Sequence, residues 1–192
     1  KINDIKKEFA HTTPEAFEIE EFMQLCYEKK SEYVIMEVSS HALDLNRVDK
    51  IHFNNAIFSN LSQDHLDYHK DLESYKDSKT KLFKMVPAKN SNFCIINLDD
   101  AYAQDFLHAA QTPCYTYGLN KNADIIAENL LISLKGSSFR VKYKDKGFDL
   151  NLELIGLFSV YNTLAAVAFA LKEGIKTEVI KSALEKMQGI PG

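Results

Sequence analysis

Short apolar runs alternate along the chain with stretches whose apolar residues recur at helical spacing. From Pro14 to Lys30, the residues Phe17, Ile19, Phe22, Met23 and Cys26 supply the apolar side of a helix opening at the proline. Tyr33 to Val38 is apolar apart from Glu37, the pattern of a strand covered on both faces. Ala56 to Phe58, Phe93 to Ile96 and Cys114 to Tyr117 read as further strands, with a helix expected over Ala101 to Ala110. Strands alternating with helices predict an α/β domain, a mainly parallel sheet flanked by helices. Between Ala123 and Leu154 the spacing changes to alternation. The segments "DIIAENLLISL", "SFRVKY" and "FDLNLEL" are separated by the turn signals "KGS" and "KDKG", which predicts a small antiparallel meander. Two helices follow: "VYNTLAAVAFALKE", stopped by Gly174, and "TEVIKSALEKM", with Thr177 as its expected N-cap.

The helix predicted from Asp71 to Lys84 carries an anomaly. At about 100° per residue, Leu72, Tyr75, Leu82 and Phe83 share one apolar stripe. Lys79 falls inside that stripe, Lys76 lies at its edge in a position to snorkel, and Lys81 and Lys84 point away. A lysine on a buried face is costly unless it is paired or chemically altered. Desolvation lowers its pKa and exposes a neutral, nucleophilic amine. The plainer alternative, a long stem reaching water past a small neighbour, stays open on the pattern alone.

Composition narrows the picture by exclusion. The chain has 192 residues, 45% hydrophobic and 26% charged, enough for one large domain or two small ones. A net charge of −4 with no long basic run gives no electrostatic footprint for nucleic acid. Cys26, Cys94 and Cys114 match no metal or redox spacing and read as core residues of a reduced, cytoplasmic protein. No apolar run reaches the length of a membrane span, and no signal-peptide pattern occurs. The first residue is not Met and the last four are "GIPG", so the chain is expected to be a piece of something longer.

Candidate chemistry gathers where strands are predicted to end, the edge at which open parallel sheets bind ligands. Glu37, Ser39, Ser40 and His41 close the first apolar run, and Asn60, Asp64 and His65 follow the second. Both groups are expected to face one crevice. A carboxylate beside an imidazole fits a metal or phosphate site, against a solvated glutamate and a locally bonded histidine. His65 and His69 have the helical spacing of a zinc pair but lack HExxH or cysteines. A serine hydrolase on Ser39, Ser40 and His41 is disfavoured, because neighbours on an extended chain point to opposite faces and there is no GxSxG elbow.

The segments "HTTPE", "EVSSHALDLNRV", "FSNLSQDHLDYHKDLESYKDSKTKLF", "INLDD", "TYG" and "GLFSVYNTLAA" together resemble the central, ATP-binding domain of the Mur ligases. The likeness runs from about His11 to the final "IPG". "EVSSHAL" and "DHLDYH" point to the branch that adds the third residue of the peptidoglycan peptide. The resemblance implies a P-loop-type α/β domain whose first strand and phosphate loop lie upstream of Lys1. It implies an ATP-dependent ligase joining meso-diaminopimelate or L-lysine to UDP-MurNAc-L-Ala-D-Glu through an acyl phosphate, with two Mg²⁺ ions. Glu37 and His65 are implied as magnesium ligands, and Lys79 as the lysine that becomes a carbamate, an oxygen donor of the kind Mg²⁺ prefers. Thr12, Thr13, Ser39 and Arg47 are implied to contact the UDP-muramoyl dipeptide, and Asn162 the adenine.

The chain also departs from the family pattern. Leu45 stands where a glutamine is usual, Ser159 where an asparagine is usual, and no GxxGK[ST] motif occurs. The UDP-binding and acceptor-binding domains are also absent from these residues. Without the phosphate loop and the acceptor domain the chain alone is expected to be inactive. Without the strand that carries the loop it is expected to self-associate through exposed sheet edge and apolar surface, whereas the parent is expected to be monomeric. The alternatives are a folylpolyglutamate synthase-like ligase and a non-catalytic module that binds UDP-muramoyl peptide.

Overall fold

The computed structural model describes residues 7–62 and 68–187. They divide into two units: the described parts of 1–52 and 63–85, and those of 53–62 and 86–192.

The second unit is built on a six-stranded sheet, with strands β1 (Asn55–Phe58), β2 (Phe93–Asn97), β3 (Cys114–Gly118), β4 (Ile125–Ser133), β5 (Gly136–Tyr143) and β6 (Lys146–Leu152) lying side by side in chain order. The pairs β1–β2, β2–β3 and β3–β4 are parallel, and β4–β5–β6 form the antiparallel meander. Every residue of β2 is buried, as its unbroken apolar run requires of an interior parallel strand. Helix α5 (Leu157–Lys172) packs Val160, Leu164, Val167 and Ala168 against Ile95, Tyr117, Ile125 and Phe139 of the sheet. Those four α5 residues recur at the spacing of one helical face. Gly174, at φ +75°, takes the left-handed conformation that stops α5, and its N–H bonds Leu171 O.

Helix α4 (Ala103–Ala109) lies inside the expected span, and α6 (Thr177–Leu184) adds Ile180 and Leu184 to the core. Thr177 is not the N-cap of α6. Lys176 holds that position and Thr177 is the first helical residue, its hydroxyl donating to Glu178 Oε1 at 3.1 Å instead of capping the turn.

The first unit holds α1 (Ala16–Glu28), α2 (Ser40–Asp44) and α3 (Leu72–Met85). Helix α1 opens at Glu15 rather than Pro14, through a reciprocal capping box with Glu18. Helix α2 is capped by Ser39, whose Oγ accepts from Ala42 N at 3.2 Å. It is tied to α3 by Ser78 Oγ donating to Ser40 O (2.8 Å) and by a Lys81–Asp44 ion pair (3.1 Å).

One expectation fails here. Tyr33–Val38 forms no ladder among the described residues, and it is not the covered strand its pattern predicts: Ile35 is 90% exposed. A strand exists only through a hydrogen-bonded neighbour, and an apolar pattern supplies the side chains for a sheet without supplying that neighbour. Among the described residues no helix is long and apolar enough to cross a membrane.

Candidate functional site

In the second unit, parallel pairing of β1 and β2 brings their carboxyl ends to one edge. Ser59 and Asn60 follow β1, Asn97 ends β2, and Asp99 and Asp100 come next. With Phe158, Tyr161 and Asn162 from the first turns of α5, these residues line a small open cleft of about 130 Å³. The carboxyl edge of parallel strands is where α/β sheets hold ligands. The loops are tied in place by side chains. Asn97 Nδ2 donates to Ser59 O at 2.8 Å, and Asp100 accepts from Leu61 N and Tyr102 N, each at 2.9 Å. Beneath them, Tyr117 Oη donates to Phe58 O at 3.2 Å, and burial pushes the Tyr117 phenol well above its ordinary range.

Asp99 is the most heavily used side chain in this wall. It accepts from Leu119 N, from Asn120 N at 3.0 Å and from Tyr161 Oη at 2.9 Å. Burial first, then this bond to Asp99, raises the Tyr161 phenol to about 12. Asn162, which the resemblance assigns to the adenine, is among the residues lining the cleft. Ser159 lies outside the lining, its hydroxyl turned back to Ile155 O at 2.9 Å. Sequence reasoning singled out Asn60 and Asn162 but passed over Asn97, Asp99 and Tyr161. The available signal was "INLDD", a polar cluster immediately past an apolar strand.

The remaining sequence-selected residues lie in the first unit. Thr13 is 1% exposed, and its hydroxyl both donates to Glu37 O and accepts from Ser39 N, each at 2.8 Å. That hydroxyl is spent within the chain, whereas Thr12 is exposed. Arg47 donates from Nη1 to Thr13 O at 3.3 Å and pairs with Glu15 at 2.8 Å. Its Nε is buried with no hydrogen-bond partner among the described residues, an orphaned donor of the kind a bound anion or carbonyl would satisfy. Leu45 is the C-cap of α2 and half exposed.

The lysines of α3 do not follow the stripe. Lys76, expected at its edge, is 7% exposed and pairs with Glu73 at 2.6 Å, whereas Lys79 is half-buried with Nζ 5.0 Å from the Tyr75 ring centre. Helical angle alone cannot rank two lysines whose long stems bend, and Lys76 finds its ion-pair partner three residues away on the same helix.

Asp64 and His65 lie outside the described residues. His69 is buried and shares a 2.9 Å hydrogen bond with Ser40 Oγ. Both of those groups are buried, which removes the access a nucleophilic serine would need. Among the described residues no group of three His, Cys, Asp or Glu side chains could hold a metal ion. Glu37 offers one exposed carboxylate, a donor type that Mg²⁺ takes. Cys94 and Cys114, far apart in sequence, are register partners on β2 and β3, and the Cys114 thiol donates to Thr112 O at 3.5 Å.

Residues 1–170 match the Mur ligase middle domain. Over 192 residues the chain is 51% identical to the UDP-N-acetylmuramoyl-L-alanyl-D-glutamate--2,6-diaminopimelate ligase of Syntrophomonas wolfei, covering all of this chain and 39% of that one. The ligase of the same name from Clostridium botulinum is 41% identical over 191 residues and is matched over 38% of its length. A solved structure of a UDP-N-acetylmuramoyl-L-alanyl-D-glutamate--2,6-diaminopimelate ligase superposes with TM-score 0.87 at 30% identity, over 98% of this chain and 39% of that one. A MurF structure from Acinetobacter baumannii superposes with TM-score 0.67 at 22% identity over 73% of this chain, a likeness of fold. The chain thus spans about two fifths of the curated relatives it matches. With the fold, the cleft and these matches in agreement, the chain belongs to the Mur ligase middle-domain family.

Proposed function

We propose that this chain is the nucleotide-binding part of a cytoplasmic ligase that joins 2,6-diaminopimelate to UDP-MurNAc-L-Ala-D-Glu using ATP. The observation that carries the reading is the cleft at the ends of β1 and β2, because Asn162, the residue the resemblance assigns to adenine, stands in its wall. The similar ligases from Syntrophomonas wolfei and Clostridium botulinum, named for 2,6-diaminopimelate, support that acceptor over lysine.

In this reading the parent enzyme moves the terminal phosphate of ATP to the D-Glu side-chain carboxylate. The acceptor amine then attacks the acyl carbon, and phosphate leaves from the tetrahedral adduct. Positioning and charge neutralisation govern such a reaction. Asn60 and Asn162 orient the base. Arg47 offers its orphaned Nε to the dipeptide substrate, with Thr12 and Ser39 alongside, and Thr13 fixes the backbone between Glu37 and Ser39. Glu37, His65 and the Lys79 carbamate hold magnesium, which when bound supplies counter-charge to the phosphates. The carbamate forms when the neutral Lys79 amine adds to CO₂ and releases a proton, which converts a half-buried cation into an oxygen-bearing anion.

The test is phosphate release by the full-length protein given ATP, Mg²⁺ and UDP-MurNAc-L-Ala-D-Glu, with diaminopimelate and L-lysine supplied in separate reactions. Release that depends on diaminopimelate is the expected result. Release with lysine alone overturns the acceptor, and silence with both from folded protein overturns the ligase.

A further inference from the structure

The geometry points to Asp99 as a positioning residue for the nucleotide: through Tyr161 it holds the first turns of α5, and so Asn162, against the end of β2. This role rests on the adenine reading of the cleft. Phe158, Tyr161 and Asn162 are the α5 contribution to the wall, and the Tyr161 hydroxyl bonds directly to Asp99 on the opposite side. Asp99 Oδ2 accepts from Tyr161 Oη and Leu119 N, while Oδ1 accepts from Asn120 N. One carboxylate therefore joins three segments that are remote in sequence: the end of β2, the turn after β3 and the start of α5. Both of its oxygens already receive protein donors, so it acts as a holder of the wall and leaves ligand contact to its neighbours.

The backbone is shaped around this carboxylate. A Cβ placed at Gly118 would lie 2.6 Å from Asp99 Oδ2, inside any tolerable contact, so residue 118 stays bare for Asp99 to reach the two N–H groups beyond it. Asp99 is itself tied at the root, its own N–H donating to Asn97 Oδ1 at 3.1 Å. Asn97 in turn holds Ser59 O, so the clamp continues into the β1 side of the cleft.

A purely structural role would lower the amount of folded enzyme and leave the balance between substrates alone, whereas a clamp on the base pocket shifts the KM for ATP. In the full-length ligase, Tyr161→Phe removes one hydrogen bond and keeps the ring. It is expected to raise the KM for ATP by about three- to tenfold, with the KM for UDP-MurNAc-L-Ala-D-Glu unchanged. Asp99→Asn is expected to act in the same direction, and the double variant to go no further than the larger single effect, since both break one link. Asn162→Ala in the same assay tests the reading beneath. If Asn162→Ala raises the KM for ATP while Tyr161→Phe and Asp99→Asn do not, the clamp is overturned and the adenine cleft stands. If Asn162→Ala also leaves it at the wild-type value, the adenine reading itself falls. Equal changes in both KM values overturn the positioning role and leave a structural one. Should Asp99→Asn fail to fold, Tyr161→Phe carries the test alone.

Discussion

Lys76 and Lys79 stand one turn apart on α3 and meet different surroundings. Lys76 is the more deeply buried, but its Nζ is neutralised by Glu73 at 2.6 Å. Lys79 lies half-buried over the face of Tyr75, its Nζ 5.0 Å from the ring centre. If the carbamate reading holds, Lys79→Ala and Lys79→Arg in the full-length protein each lower turnover by at least about a hundredfold. Arginine keeps the charge, but its guanidinium stays protonated and cannot add CO₂. Lys76→Met, which keeps the stem and removes the charge, is expected to retain turnover. Phosphate-release rates for the three variants decide the matter: activity in Lys79→Arg removes the carbamate role, and loss in Lys76→Met shifts attention to the wrong lysine having been chosen. The motif in which Lys79 sits was legible in the sequence, whereas its degree of burial was not. Periodicity gives the direction of a Cβ, while the end of a lysine stem goes where a partner such as Glu73 draws it.

Elements divide by whether their partners are close in the chain. The meander was legible because each strand's partner follows it across a marked turn, and β2 and β3 because continuous apolar runs bounded by polar turns have few other solutions. Tyr33–Val38 has the same local signature and forms no ladder among the described residues, since parallel pairing is decided by residues remote in sequence. The turn signals carry quantitative consequences. Gly136 opens β5 at φ +138°, and a Cβ there would lie 2.0 Å from Leu152 O, across the β5–β6 ladder in which Ser137 pairs with Leu152. Gly136→Ala therefore meets both a forbidden backbone angle and a clash with main chain that cannot rotate away. A loss of about 2–4 kcal/mol is expected, read as a lower urea midpoint for the chain at unchanged slope. A midpoint equal to wild type would mean that the hairpin has a second register available at little cost.

At the scale of the molecule, the residues that line the cleft come from positions 59–60, 97–100 and 158–162. No local pattern links those three stretches, which is why the sequence showed a strand end here and an asparagine there without showing a cleft. The cleft needs only the second unit's own sheet and α5, so the wall proposed to hold the base lies wholly within that unit. Phosphoryl transfer asks for more. It depends on backbone N–H groups cradling the phosphates, and no GxxGK[ST] motif occurs among the 192 residues, which span 39% of the Syntrophomonas wolfei relative. Each preorganised donor missing from a developing charge costs about a hundred- to a thousandfold in rate, and a missing phosphate loop removes several at once. The 192-residue chain, purified and folded, is therefore expected to release no phosphate above the enzyme-free blank when given ATP, Mg²⁺, UDP-MurNAc-L-Ala-D-Glu and diaminopimelate. It is expected nonetheless to bind adenine nucleotide weakly, with Asn162→Ala abolishing that binding. Acceptor-dependent turnover by the isolated chain would mean that phosphate is held by groups other than a glycine-rich loop. Nucleotide binding that survives Asn162→Ala would place the base outside the cleft at the ends of β1 and β2.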